Sequence, residues 1–262
     1  MQPFCGAGSG HAFQAFRLTG SLLSRHVHRA AERRFLTGMR RLAFAALSAI
    51  LLAGLTSAVA SSASRSGTPN REQVRLNRAD QAAARAAVLR RGDLGSGWTG
   101  GARKAPPPST VTCPGYQPKQ SDLVRTGAAE ARFQHTGLVI QSDAQVLKTR
   151  AMVARDWQRS VADPRSVKCL RHMLSKQLPS NERLVSFGRR AFPRLAKYSA
   201  AYRMLVRVHA QGQTVLVVVD LVTVGRSRTE LTLTMSAPAA ARKALPAAEA
   251  QVARALLARV SA

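Results

Sequence analysis

Residues 200–235 have the sequence AAYRMLVRVHAQGQTVLVVVDLVTVGRSRTELTLTM, which has the clearest strand pattern in the chain. Apolar and polar residues alternate along its first and third runs with the period of two that a half-buried strand requires. The turn before the second run is Gln211-Gly212, and the turn after it is Gly225-Arg226-Ser227. The stretch therefore predicts three consecutive antiparallel strands, a meander.

Turn lengths set the register expected within this meander. A first turn of two residues predicts three apolar pairs, Tyr202 with Leu221, Met204 with Val219 and Val206 with Val217. A second turn of three residues predicts two more apolar pairs on the same face, Leu221 with Leu231 and Val219 with Leu233. The same register places Arg203, Asp220 and Thr232 together on the other face.

Asp220 interrupts the most hydrophobic strand, where an unpaired charge would be costly. We predict Arg203 as its partner, and two interpretations stay open. One is a structural cross-strand ion pair, worth under about 1 kcal/mol if it is exposed. The other is the floor of a ligand cleft, formed by Arg203, Asp220 and Thr232 with Arg207 and Glu230 nearby. Apolar residues share that face, so something covers part of it or binds there.

The remaining segments predict an α+β fold, an antiparallel sheet with a C-terminal three-strand meander, packed by helices. Helices are expected over 71–91, over 147–162 up to Asp163-Pro164, over 165–178, and from Pro246 onward. A hairpin is expected over 128–136 and 138–147, a further strand over 183–192, and a polyproline-rich loop over 100–120. Residues 71–262 are thus expected to form a single domain.

The first sixty residues do not have the pattern of a fold. Residues 39–60 combine a basic start, an apolar middle and a small-residue exit, which predicts a secretory signal cleaved after Ala60. Residues 1–38 are either a long leader or lie upstream of a true start at Met39, and residues 61–70 are expected to be a flexible tether. The product is expected in the cell envelope or outside the cell, without a membrane span. A lipid anchor is not expected, because Leu55 stands where a lipidated cysteine would follow Leu52-Ala53-Gly54.

Cysteine usage agrees with an oxidising compartment. Cys5 lies in the upstream extension, which leaves Cys113 and Cys169 to form one disulfide. A metal site is less favoured than a disulfide, because these two thiols alone supply too few ligands.

The net charge of the whole chain is +27. The electrostatic field of such a charge attracts anionic polymers or a membrane surface. Charges scattered along the chain, rather than clustered, favour generic surface charge over a selected anionic partner. Specific nucleic-acid binding is not expected.

No catalytic constellation is visible in the sequence. His135, His172 and His209 have no Cys, Ser or acidic partner at the spacing of a triad or a metal site. We therefore expect no catalytic residue, no metal and no cofactor, and a hydrolase is a distant third hypothesis.

The order of several short motifs resembles a known family. These are Leu94-Gly95-Ser96-Gly97-Trp98, Cys113, the run 128–133, Ser142, Cys169-Leu170, Ala201-Tyr202-Arg203 and Gly225-Arg226. They are similar to secreted sensor-like domains of actinobacteria, including the extracellular domain of PknH-type receptor kinases and related cell-envelope lipoproteins. The resemblance implies an antiparallel sheet backed by helices, a ligand cleft and no catalysis. It departs in having cysteines for one disulfide rather than two, and no kinase domain.

Two functions follow as expectations. The first is a non-enzymatic binding domain of the cell envelope, whose ligand is a small molecule or an anionic envelope polymer. The second is an adaptor that docks a protein partner.

Overall fold

The computed structural model describes residues 70–108, 113–210 and 212–260. The predicted extension 1–38, the signal 39–60 and nearly all of the tether 61–70 lie outside the described residues. In the described part, no helix is both long enough and apolar enough to cross a membrane.

One eight-stranded sheet organises the chain, and it confirms the α+β class. Its order is β1-β3-β4-β8-β7-β6-β5, with β2 paired to β3. Every pairing is antiparallel except that of β1 with β3. The strands are β1 (Gln73–Val74), β2 (Thr99–Arg103), β3 (Val124–His135), β4 (Leu138–Leu147), β5 (Glu182–Arg190), β6 (Tyr198–Ala210), β7 (Gln213–Arg226) and β8 (Thr229–Pro238).

Helices cover both faces of this sheet. They are α1 (Arg78–Ala87), α2 (Arg150–Trp157), which continues as a π-helical turn (Gln158–Ala162), α3 (Pro164–Gln177) and α4 (Leu245–Leu257). Asn77 caps α1 and Thr149 caps α2, each accepting a hydrogen bond from a backbone N–H of the first turn. Helices α1 and α2 therefore begin later than the sequence predicts. The chain before α1 contains β1, and the chain before α2 contains the end of β4. The predicted loop 100–120 also begins in a strand, β2.

Two cores lie on opposite faces of the sheet. Helices α1 and α4 pack on what we call the α1/α4 face, against apolar residues of β3, β4, β7 and β8. Helices α2 and α3 pack on the α2/α3 face, against β6 and β7. The predicted disulfide between Cys113 and Cys169 is confirmed, with a Cα–Cα distance of 5.6 Å, and it joins the segment before β3 to α3.

The predicted meander is confirmed, but only half of its register is correct. Tyr202, Met204 and Val206 pair with β7 as expected. Arg226 pairs with Thr229, so the second turn has two residues, and Leu221 faces Thr234 rather than Leu231. The pairing is shifted by three residues from the predicted one, and a shift by an odd number moves every side chain of β8 to the other face. The sequence does not distinguish the predicted from the observed pairing of β8 with β7. Strand β7 is apolar on both faces, so the apolar residues of β8 can pack beside it in either register.

Candidate functional site

The predicted pair of Arg203 and Asp220 forms, with the carboxylate buried and the arginine partly exposed. The Arg203 Nε atom is 2.7 Å from Asp220 Oδ1, and the Asp220 side chain is fully buried. Arg190 Nε lies 3.4 Å from Asp220 Oδ2, and Arg190 also contacts the buried Glu249 of α4. Asp220 is thus enclosed between two arginines on the α1/α4 face and has no exposed surface in the part of the chain that the structure describes.

The five predicted ligand residues do not form one line. Thr232 and Glu230 lie on the α2/α3 face because of the corrected register, opposite to Arg203 and Asp220. Arg207 is exposed beside Leu216 on the α1/α4 side of the sheet. Of the proposed set, only Glu230 lies within a larger polar cluster.

That cluster, which we call the polar floor, covers the α2/α3 face of β3, β4 and β8. Each of its members is less than 9% exposed, and they are Glu130, Arg132, Gln141, Asp143, Gln145, Glu230, Thr234 and Ser236. Rows of paired residues cross the three strands, such as Glu130 opposite Asp143 and Arg132 opposite Gln141. The Asp143 Oδ1 atom and the Thr234 and Ser236 hydroxyls have no hydrogen-bond partner among the described residues.

The acids of the polar floor favour the protonated form. Burial raises the pKa of Asp143 well above its usual range, and the Glu130 carboxylate on the neighbouring strand raises it further. Burial likewise raises the pKa of Glu230, with the Asp156 carboxylate of α2 adding to the effect and the Gln145 amide opposing it. The pKa of Glu72 is also raised by burial, against the effect of its ion pair with Arg125.

Stability is therefore expected to depend on pH. Carboxyls with a raised folded pKa stabilise the fold below their unfolded pKa of about 4, and this contribution is lost as pH rises through the folded pKa. We expect a larger free energy of unfolding at about pH 5 than at about pH 7.5, measured by urea titration. Asp80, whose pKa is lowered to about 2 chiefly by its hydrogen bond with Arg228, loses its contribution only below this window.

A double variant, Asp143→Asn with Glu230→Gln, tests this assignment. It is expected to remove most of the difference in unfolding free energy between the two pH values. A difference as large as that of the wild type would show that other groups carry the pH dependence.

A second feature, which we call the edge groove, lies where α1 and the segment 100–108 flank β3. Its volume is about 910 Å³. Gly127 makes the close approach of α1 possible, because a Cβ atom at this position would lie 2.2 Å from the Asp80 carbonyl oxygen. The groove is lined by Val74, Leu76, Gln81, Arg85, Val88, Leu89, Arg90, Arg91, Arg125, Ala128, Ala129, Glu130, Phe133 and residues 100–108.

The edge groove combines apolar walls with a basic rim. Val74 and Leu76 are 48% and 51% exposed, and both line the groove. Five basic side chains of the lining are exposed, those of Arg85, Arg90, Arg91, Arg103 and Lys104. Apolar area with a few charged groups at its border is the usual composition of a ligand pocket.

Acidic residues scarcely contribute to the outer surface. Of the twelve acidic residues in the described part, eleven are buried or half-buried. The twelfth, Asp93, pairs with Arg259. The surface seen by a partner is therefore more basic than the composition alone indicates.

Sequence reasoning missed both features. The polar floor had a readable pattern, since Glu130, Arg132 and Gln134 alternate along β3 and Gln141, Asp143 and Gln145 along β4. The edge groove has no corresponding pattern in the sequence. It arises because α1 crosses β3 at Gly127 and because part of the predicted loop 100–120 forms one wall.

Among residues 70–108, 113–210 and 212–260, no cluster of three His, Cys, Asp or Glu side chains could hold a metal ion. Comparison of the chain with protein-family models, with curated proteins and with solved structures finds no match. The resemblance to sensor-like domains therefore stays a prediction.

Proposed function

We propose that this chain is a binding domain whose ligand is an anionic amphiphile held in the edge groove. The observation that carries the proposal is the coincidence of exposed apolar side chains and a basic rim in one concavity of about 910 Å³. Pockets for small ligands and cofactors have volumes of about 300–1,000 Å³.

The apolar part of the groove supports a hydrocarbon chain as one half of the ligand. Val88, Leu89 and Phe133 are buried at its base, and Leu76 and Val74 extend the apolar wall toward solvent. A hydrocarbon chain laid against these two side chains would remove their apolar surface from water, which is favourable.

The rim supports an anionic head group as the other half. Arg103 and Lys104 follow one another on one wall, and Arg90 and Arg91 lie on the other. Arginine and lysine are the side chains that bind phosphate and carboxylate groups, through charge-assisted hydrogen bonds.

The sequence-based expectations place this binding domain in the cell envelope. The disulfide favours an oxidising compartment, and the resemblance to secreted sensor-like domains favours binding without catalysis. A concave groove rather than a flat apolar patch favours a ligand over the alternative of a docked protein partner.

Isothermal titration calorimetry with dihexanoyl-phosphatidylglycerol tests the proposal, using protein purified from an oxidising compartment. Leu76→Asp is expected to weaken binding about tenfold or more, because it removes apolar contact worth roughly 1.5–3 kcal/mol and adds a repelling charge. Binding is also expected to weaken as salt concentration rises.

Leu216→Asp is the matched control, because Leu216 is 38% exposed and lies outside the groove. It is expected to bind as the wild type does. No binding by the wild type, or equal weakening by the two variants, would overturn the proposed function.

A further inference from the structure

Strand β5 is the open end of the sheet. The strand order ends with it, and within the described part of the chain it pairs with β6 alone. Its nine residues span about 30 Å. An edge strand carries a row of backbone N–H and C=O groups that face away from its neighbour. This surface, which we call the β5 edge (Glu182–Arg190), lies at the opposite end of the sheet from the edge groove.

The β5 edge is basic on the α1/α4 face. Arg183 lies directly opposite Arg207 of β6, and both side chains are exposed. Among the residues that the structure describes, neither of them forms an ion pair. Like charges directly opposite each other in a sheet are unfavourable. The two neighbouring guanidinium groups therefore favour a carboxylate supplied by a partner.

The other face of the β5 edge is apolar near its centre. Leu184 and Phe187 are half-buried on the α2/α3 face, at the margin of the cores beneath α2 and α3. Alternate side chains of a strand added beside β5 would lie next to them and cover their remaining apolar surface. The intervening side chains would lie next to Arg183 on the α1/α4 face. The strand that matches this edge thus alternates acidic and apolar residues.

The charges of the β5 edge exclude a second copy of the chain. A bulge between Leu184 and Ser186 and the exposed Arg183 and Arg189 are features that protect sheet edges from self-association. A second copy of β5 would bring the same two arginines and no exposed acid, so the two copies would repel. An acidic strand meets attraction at the same positions.

We propose that the β5 edge binds an extended segment of a partner protein in which acidic and apolar residues alternate, by adding that segment to the sheet as a further strand. Backbone hydrogen bonds supply the affinity of such an interaction, and the alternating side chains supply its specificity. The acidic side chains contact Arg183 and Arg207, and the apolar ones contact Leu184 and Phe187. The site is separate from the edge groove and does not rest on the proposed function.

Fluorescence anisotropy with a labelled peptide in which glutamate and valine alternate tests the inference. One control peptide has the same composition, with the glutamates in one block and the valines in another. A second has the alternating sequence with every backbone amide N-methylated, which keeps the charge and removes the N–H donors. We expect the alternating peptide to bind at least about tenfold more tightly than either control. Equal binding of the three peptides, or no binding of the alternating one, would overturn the site.

Hydrogen exchange locates the bound peptide. We expect the backbone amides of residues 182–190 to exchange more slowly in the presence of the alternating peptide, because their outward N–H groups become hydrogen-bonded. Slower exchange confined to other parts of the chain would show that the peptide binds elsewhere.

Arg183→Glu is expected to weaken binding of the alternating peptide about tenfold, because an attractive contact becomes a repulsive one. The variant is expected to fold, since a glutamate opposite Arg207 forms a favourable cross-strand pair. Arg78→Glu is the matched control, with the same change in charge. Arg78 is exposed at the start of α1, outside the edge groove, and α1 packs on β3 at the far end of the sheet. Equal weakening by the two variants would show that net charge, not the β5 edge, binds the peptide.

Discussion

Asp220→Asn is expected to lower the free energy of unfolding by about 3–5 kcal/mol, the largest effect of any single substitution that we consider. Asp220 is fully buried and lies between Arg203 and Arg190. The amide has the same shape as the carboxylate, so packing is kept while Arg203 loses its ion pair and Arg190 keeps only the one with Glu249. Urea or thermal unfolding of the variant measures the loss.

Asp122→Asn is the control, because Asp122 also binds an arginine through both oxygens, at 2.7 and 3.1 Å from Arg159, but its side chain is 28% exposed. A pair so exposed is expected to contribute roughly 1 kcal/mol or less. Equal losses in the two variants would contradict the view that burial of the Asp220 cluster makes it structural.

Removal of the disulfide is expected to cause the second large loss of stability. Cys113 and Cys169 are separated by 56 residues, and the chain-entropy model assigns a loop of this length about 4 kcal/mol. The double variant Cys113→Ser with Cys169→Ser is therefore expected to unfold at a markedly lower urea concentration than the oxidised wild type. Equilibrium unfolding in the presence and absence of a reducing agent measures the difference.

The reducing agent also supplies the control for this prediction. The wild type is expected to fall to the stability of the double variant on reduction, while the double variant does not respond. A wild type whose stability is unchanged after complete reduction would contradict the role of the bridge.

Part of this fold was predictable because alternation, turn length and cysteine number each allowed only one arrangement. The strict alternation in β6 and the two-residue turn after it determined the pairing of Met204 with Val219, and the same register brought Arg203 to Asp220. The disulfide followed from elimination, because only Cys113 and Cys169 remain once the upstream segment is set aside.

The errors arose where several arrangements satisfied the same pattern. Strand β7 is apolar on both faces, so the register of β8 depended on a turn length that the sequence does not specify. Strands β1 and β2 are short, and Gly100 and Gly101 in β2 do not resemble a strand locally. They form because an edge of β3 is available for pairing.

The candidate site depended most on tertiary structure. The predicted ligand face was covered by α4, whose docking position could not be read from its own periodicity. The edge groove requires α1, β3 and residues 100–108 to come together, and these segments are far apart in sequence. Only the alternating acids and amides of β3 and β4 gave a signal that closer attention to period two would have found.

The most direct test of amphiphile binding is a crystal structure of the protein with dihexanoyl-phosphatidylglycerol. We predict density for an acyl chain against Leu76, Val88 and Phe133, and for the phosphate near Arg103 and Lys104. A lipid bound only elsewhere on the basic surface, with the edge groove filled by solvent, would contradict the proposal.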